Sequence, residues 1–368
     1  MANEVVATCE QIYNISKKLY MAAGLSEEDA ALSATNHAVA SARGLDTHGI
    51  NRVPNYLGIL ADGRQIKVDA ELKLIAQKGS LAYYDADDGH GPVMAAKAMN
   101  ETIERAREYG SAVSSVKNGN HFGCGAQYLL QAAEQNMIGM VISNTLWACA
   151  PFGGKEKVLG NSPWGVIFPG GKKYPDPITL DMANVVATFG KCQLKLLAGE
   201  PLPPGWAIDK DGNDTTDPAA PLTKGGALMP FGGIKGYCIT VMWELMAAAL
   251  SGAEYAPEIG PHYEKETMAP AKLGYFFMAI DPAAIRPFEE FQDDVDRYVE
   301  MIKNCATKDG VEEVFMPGEI ENRKIRERKI NGVPMAEGTV KNLIDTCVRW
   351  KLLPEGATAE DLLRLGSC

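Results

Sequence analysis

The chain has 368 residues, 46% of them hydrophobic and 23% charged, which suits a globular protein with room for two or three domains. Its formal net charge of −11, with no long Lys/Arg run, excludes nucleic acid and anionic membrane surfaces as partners and leaves small anionic substrates open. Apolar runs such as "MVISNTLWACAPFGG" break before transmembrane length, and the early acidic residues lead us to expect no secretory leader. No two of the 8 cysteines stand in CxxC spacing, so reduced thiols in a cytoplasmic protein are expected rather than disulfides or a zinc site.

From the N-terminus, Val5–Ala23 carries apolar residues at helical spacing. Ser26–Asp29 reads as a capping box that opens a second helix ending near Gly44. Pro54 marks the first turn of a third. Leu72–Ala76 and Leu81–Asp85 read as a hairpin, followed by a helix over Pro92–Tyr109 and a strand at "SAVSSV". A helix is expected from Ala126, then strands at "IGMVISN", "WGVIF" and "PITLDMA". Glu200–Leu228, rich in Pro, Gly and Asp, reads as a long loop, and "GYCITVMWELMAAALSG" as a buried helix. A strand at "LGYFFMAID" precedes a charged, helical end from Pro287. The expected fold class is α+β, divided into a helical part over residues 1–75, a mixed-sheet part over 76–286, and a helical part over 287–368 that packs with the first.

The chemistry-bearing residues are few. Neither the GxGxxG fingerprint nor a Walker loop is present. The histidines are His37, His48, His90, His121 and His262; none shows metal-ligand spacing, and no metal site is expected. In "NHFGCG", His121 and Cys124 read either as a nucleophile pair, which would make a Cys/His hydrolase, or as a glycine turn with a filler cysteine. In "RGLDTHGINRVPNYL", His48 and Arg52 stand four residues apart. They read as a proton donor beside a carboxylate clamp, or as a capping histidine and a surface arginine. Asp181 at the end of an apolar strand reads as a helix N-cap or as the group that orients a catalytic imidazole. Lys235 before the apolar helix reads as an anion contact at a helix N-terminus or as an exposed loop lysine.

Taken in order, "THGINR", "NHFGCGAQYLLQAAEQNMIGMVISNT", "LGNSPW", "LDMANVVATFGK", "GWAIDKDGNDTTDPAA" and "FGGIKGYC" resemble the type 2 malate/L-lactate dehydrogenase family. That family also holds ureidoglycolate, sulfolactate and diketogulonate dehydrogenases and cyclic imine reductases. The resemblance runs from the second helix to about Ile330. It implies a non-Rossmann fold with a large mixed sheet that binds NAD or NADP, and a helical domain built from both chain ends. It also implies hydride transfer at C2 of a 2-hydroxy, 2-oxo or cyclic imino acid, and a homodimer with the active site near the interface. His48 matches the family's proton donor, Arg52 its carboxylate clamp, and His121 a proton acceptor in other members. Thr145, Asp181, Met182, Ala183, Lys235, Gly236, Pro317, Gly318 and Glu319 match cofactor-binding segments. Thr47 stands where the family often has serine, keeping a hydroxyl beside substrate; Gly160-Asn161-Ser162-Pro163 stands where it often has Gly-Thr-Asn-Pro.

Overall fold

The computed structural model describes residues 5–259 and 269–367, so His262 and Cys368 lie outside the described residues. The first expectation needs correction. Val5–Ala7 is a short strand (β1), and the helix (α1, Cys9–Ala22) begins only after Thr8, whose side chain forms a capping box with Gln11. The two β-branched valines favour extension, and β1 pairs antiparallel with β14 (Val333–Met335), joining the two ends of the chain. Ser26 caps α2 (Glu27–Ala42), and α3 (Val53–Asp62) has Pro54 in its first turn.

Seven strands form the main sheet: β2 (Lys73–Lys78), β3 (Leu81–Asp85), β4 (Ser111–Gly119), β5 (Ile138–Ser143), β8 (Trp164–Phe168), β9 (Ile178–Met182) and β13 (Leu273–Ile280). Their spatial order is β2-β3-β4-β13-β5-β8-β9. Only β3 and β4 pair in parallel, and the crossover that this requires is α4 (Gly91–Tyr109). α4 and α5 (Ala126–Ala133) cover one face. Side chains alternate across the sheet: Tyr275, Phe277 and Ala279 join the large core under those helices, while Phe276 packs with Met140, Ile142 and Ala247 behind.

The stretch expected as a loop over 200–228 carries short strands. β10 (Ala207–Ile208), β11 (Asp214–Thr215) and β12 (Ala227–Leu228) join β6 (Trp147–Cys149) and β7 (Leu159–Gly160) in a five-stranded sheet. Two short helices, α6 (Phe189–Ala198) and α7 (Ala220–Thr223), flank it. The apolar helix expected to be buried is α8 (Ile234–Glu244), which runs on as a π turn over Leu245–Ala249. It is not buried: Ile234, Met242 and Leu250 are each more than half exposed. The C-terminal helices are α9 (Phe288–Lys303), α10 (Glu319–Asn331), α11 (Glu337–Arg349) and α12 (Ala359–Gly366), and α12 packs on α1.

Where α1, α2, α3 and α4 meet, imidazoles lie in the core. His37 is 0% and His90 3% exposed. His37 Nε2 is 2.7 Å from the Tyr20 hydroxyl, and the His90 ring stands 4.9 Å from Tyr56, edge-on. Burial lowers His37 to about 4 and His90 to about 3, so both are neutral in the folded protein. The unfolded chain takes up these protons below its ordinary value of 6.5, so stability is complete above that pH and declines as pH falls towards the folded values. Once both titrate, the expected slope is about 2.7 kcal/mol per pH unit for the pair. Urea midpoints measured across this range should show it, and His90→Asn should remove one proton from the slope; an identical slope in the variant contradicts a neutral, buried His90.

Candidate active site

The "NHFGCG" turn joins β4 to α5, and four side chains clamp it. Asn36 of α2 donates to the Cys124 carbonyl and accepts from its N–H, both at 3.0 Å. Asn120 donates to the carbonyls of Asp88 and Gly89 at 3.0 Å. Tyr128 and Tyr275 donate to the carbonyls of Phe122 and Asn120. Gly123 sits at φ 75°, and a Cβ there would lie 2.2 Å from Asn36 Oδ1. Gly91, at the start of α4, lies against the turn so closely that a Cβ would lie 2.2 Å from the His121 carbonyl oxygen. The turn therefore holds His121 in one place.

His48 is brought to it by the loop between α2 and α3. The two rings stack with centroids 5.5 Å apart. His48 Nδ1 is 3.0 Å from the Thr47 hydroxyl, and its backbone carbonyl lies 3.1 Å from His37 Nδ1. Burial, and then the Arg52 charge, lower His48 to about 4. Arg52 is the N-cap residue of α3, and its guanidinium lies 5.7 Å above the Tyr56 ring one turn on. The two imidazoles and the arginine expected from the sequence therefore do meet.

Among the described residues, Asp181 meets no imidazole. Its carboxylate accepts from the Ala126 N–H at 2.9 Å, at the start of α5, and lies 3.9 Å from Cys124 Sγ. The capping alternative also changes helix: Asp181 serves α5, and Thr188 caps α6. Burial pushes the Asp181 carboxyl up, partly offset by the Arg43 charge. Cys124 is buried, and burial followed by the Asp181 charge raises its thiol to about 12. A thiolate beside a carboxylate is disfavoured, which speaks against the hydrolase reading and leaves Cys124 as filler.

The cofactor-segment residues are linked through β9. Thr145 Oγ1 bonds Asn161 Oδ1 at 2.6 Å, and the Asn184 N–H bonds the Asn161 carbonyl at 2.8 Å, one residue beyond Ala183. The Phe231 N–H bonds the Asn184 carbonyl at 3.1 Å, which ties in the turn before α8, where Lys235 is exposed and Gly236 buried. At the other end of β9, the Thr179 N–H bonds the Pro317 carbonyl at 3.0 Å, and Gly318 packs on Thr179. Glu319 pairs with Lys303 at 2.8 Å and Arg323 at 2.6 Å. A cavity of about 350 Å³ opens beside Pro317 and Glu319, lined also by Lys303, Asn322 and Arg323; His48, Arg52 and His121 do not line it.

Sequence reasoning missed Tyr56, whose hydroxyl is 2.5 Å from His121 Nδ1. Its one local signal is the four-residue step from Arg52, which puts both on one face of α3. It also missed Asn36, a polar residue with 0% exposure in the middle of a helix.

The sequence profile of the malate/L-lactate dehydrogenases matches residues 7–344. The L-sulfolactate dehydrogenase of Methanocaldococcus jannaschii is 37% identical over 327 residues, 88% of this chain and 91% of that protein. Its solved structure superimposes with a TM-score of 0.87 at 35% identity, covering 97% of this chain and 99% of that one. A malate dehydrogenase of Pyrococcus abyssi is 32% identical over 342 residues, 91% of this chain and 92% of that protein. The Δ1-piperideine-2-carboxylate reductase of Pseudomonas syringae gives a TM-score of 0.81 at 26% identity, covering 93% of this chain and 99% of that one. The chain belongs to the malate/L-lactate dehydrogenase family.

Proposed function

We propose that the protein is an NAD(P)-dependent dehydrogenase that moves a hydride between nicotinamide and C2 of a small 2-hydroxy or 2-oxo acid of the malate, lactate or sulfolactate kind. The observation that carries the reading is the stacked pair His48 and His121 with Arg52 at the start of the adjoining helix. The residues present fit an anionic dinucleotide. α8 starts after Gly232 and Gly233, both at positive φ, without a side-chain cap, so its first N–H groups are open to an anion, and the exposed Lys235 stands in the same turn. A Cβ on Gly236 would lie 1.7 Å from the Phe231 carbonyl oxygen, so the tight turn requires glycine there. Thr145, the Asp181-Met182-Ala183 stretch and Pro317-Gly318-Glu319, linked through β9, would hold the rest of NAD or NADP. When bound, the nicotinamide supplies or accepts the hydride.

The chain's own residues do the remainder. Arg52 holds the substrate carboxylate through a fork of N–H donors. His48 moves the proton at the C2 oxygen, and His121 hydrogen-bonds the substrate from the glycine turn, with the Thr47 hydroxyl fixing the His48 ring. The substrate carboxylate offsets one of the two causes that keep His48 low, so binding itself raises the group towards working pH. A homodimer belongs to the same proposal. Leu194 and Leu197 of α6 are 66% and 75% exposed, and Ile234 and Met242 of α8 are more than half exposed; each is apolar surface suited to a second copy. The division into parts at 1–75, 76–286 and 287–368, with the terminal parts packed together, is supported by the β1–β14 pairing. A cytoplasmic place is supported by the seven described cysteines, all free thiols. Reduction of a cyclic imino acid is the second reading, favoured by the likeness to the piperideine-2-carboxylate reductase.

A panel of 2-oxo acids and a cyclic imino acid, followed at the reduced-nicotinamide absorbance with NADH and with NADPH, decides between the two readings. Turnover of the imino acid alone would replace the first with the second. In the oxidation direction the acid limb of kcat/KM should lie near about 4, the free-enzyme value of His48, and the limb of kcat should lie higher. Equal midpoints, or a limb that persists in His48→Asn, would take His48 out of the proton step. Arg52→Lys should raise KM for the acid by about tenfold or more while kcat changes far less, because a point charge replaces a bidentate clamp. Cys124→Ala should keep most of the activity; a loss of several orders of magnitude with the fold intact would restore the thiol to the chemistry.

A further inference from the structure

We propose that His37, with its tautomer locked by Tyr20, is the positioning residue for His48: its Nδ1–H holds the His48 backbone carbonyl and so sets the direction in which the His48 imidazole leaves its loop. The role of His48 in the reaction rests on the dehydrogenase reading above; the tether does not.

His37 lies within α2 and is fully buried. Its two ring nitrogens meet different groups: Nδ1 lies 3.1 Å from the His48 carbonyl oxygen, and Nε2 lies 2.7 Å from the Tyr20 hydroxyl. A carbonyl oxygen only accepts, so the ring proton sits on Nδ1. The opposite tautomer would set a bare nitrogen against the carbonyl oxygen and lose that bond. A second proton on the ring is disfavoured, because burial holds His37 at about 4 and a cation there would also meet the His48 ring and the Arg52 charge. Tyr56 of α3 and His90 at the entry to α4 complete its surroundings. Nε2 is therefore bare and accepts the Tyr20 proton. Burial pushes the Tyr20 phenol well above its usual 10, so that proton stays on oxygen. A hydroxyl on α1 thus fixes the tautomer of an α2 imidazole, and that imidazole fixes a peptide of the α2–α3 loop.

The rest of the loop is bonded to match. Ser41, one turn after His37 on the same face of α2, accepts from the Ile50 N–H at 3.0 Å. A Cβ on Gly49 would lie 2.4 Å from Ser41 Oγ, so the loop runs directly against this face. The His48 N–H donates to the Leu45 carbonyl at 2.9 Å. With the N–H and the carbonyl of His48 both held, its Cα–Cβ bond has one direction. That direction puts the ring in its stack on His121, centroids 5.5 Å apart, with Nδ1 beside the Thr47 hydroxyl. Without the His37 donor, the His48 peptide is free to turn and its imidazole gains water. Proton transfer needs hydrogen-bond reach, and a misplacement of about 1 Å costs up to about a hundredfold in rate.

The test uses the full-length protein with ¹⁵N-labelled histidine, the His37 and His48 signals being assigned by their loss in His37→Asn and His48→Asn. At neutral pH the wild type should show a protonated Nδ1 and a bare, pyridine-like Nε2 at His37, and Tyr20→Phe should move both towards a tautomer mixture. In His37→Leu, which removes the donor, the His48 midpoint should rise from about 4 towards its ordinary 6.5. In the same variant kcat should fall by about tenfold or more, with KM for the acid changing less. His37→Asn, whose amide N–H stands in for Nδ1–H, should keep the His48 midpoint low and recover most of kcat. Equal losses in the Leu and Asn variants, with the His48 midpoint in place, are what a merely structural His37 gives, and they overturn the proposal. A bare Nδ1 at His37 in the wild type overturns it whether or not any variant folds. An unchanged His37 tautomer in Tyr20→Phe overturns the lock. Absence of turnover on any 2-oxo or cyclic imino acid with either nicotinamide overturns the dehydrogenase reading, while the His37 and His48 signals still decide the tether.

Discussion

Removing an imidazole from water favours its neutral form, and it lowers His37, His48 and His90 where the rings of Tyr20 and Tyr56 gather the N-terminal helices. The elements that meet there each contribute one member: α1 Tyr20, α2 His37, the α2–α3 loop His48, α3 Tyr56, the entry to α4 His90, and the β4–α5 turn His121. Neutral rings can stack and exchange hydrogen bonds at close range without repulsion. Were any one charged, it would meet its neighbours and the Arg52 guanidinium in a poorly solvated space. The packing that gives the N-terminal helices a common core is therefore also what stacks His48, lowered by burial, on His121.

Local chemistry made much of this legible. Capping side chains, Pro54 and the glycine turns mark α2, α3, the β2–β3 hairpin and the start of α5 within a residue or two, because each signal acts within one turn of the chain. Errors arose where a distant partner decides. Val5–Ala7 fits a helix pattern by apolar spacing, but pairing with Val333–Met335 makes it a strand. The uniform apolarity of α8 reads as burial, yet its flank remains open in a single chain. Asp181 reads as chemical because it is a polar group ending an apolar strand; the amide that donates to its carboxylate belongs to Ala126, 55 residues away. Tyr56 was passed over because His121 is 65 residues further on, and only the folded chain brings the phenol to the imidazole.

The position of Asp181 nonetheless ties the two halves of the site together. Its carboxylate sits at the N-terminus of α5, where the helix dipole favours an anion. That anchors the β4–α5 turn to β9, the same strand that meets Asn161 through Asn184 on one side and Pro317 through Thr179 on the other. A displacement of β9 would therefore be felt at His121, through one hydrogen bond to Ala126 and the turn residues between them. The hydride donor and the imidazole that meets the substrate need their separation held to a fraction of an ångström for near-attack geometry. A buried carboxylate, costly in isolation, is justified by that coupling: it fixes the turn relative to the strand, with the Arg43 charge offsetting part of the burial cost.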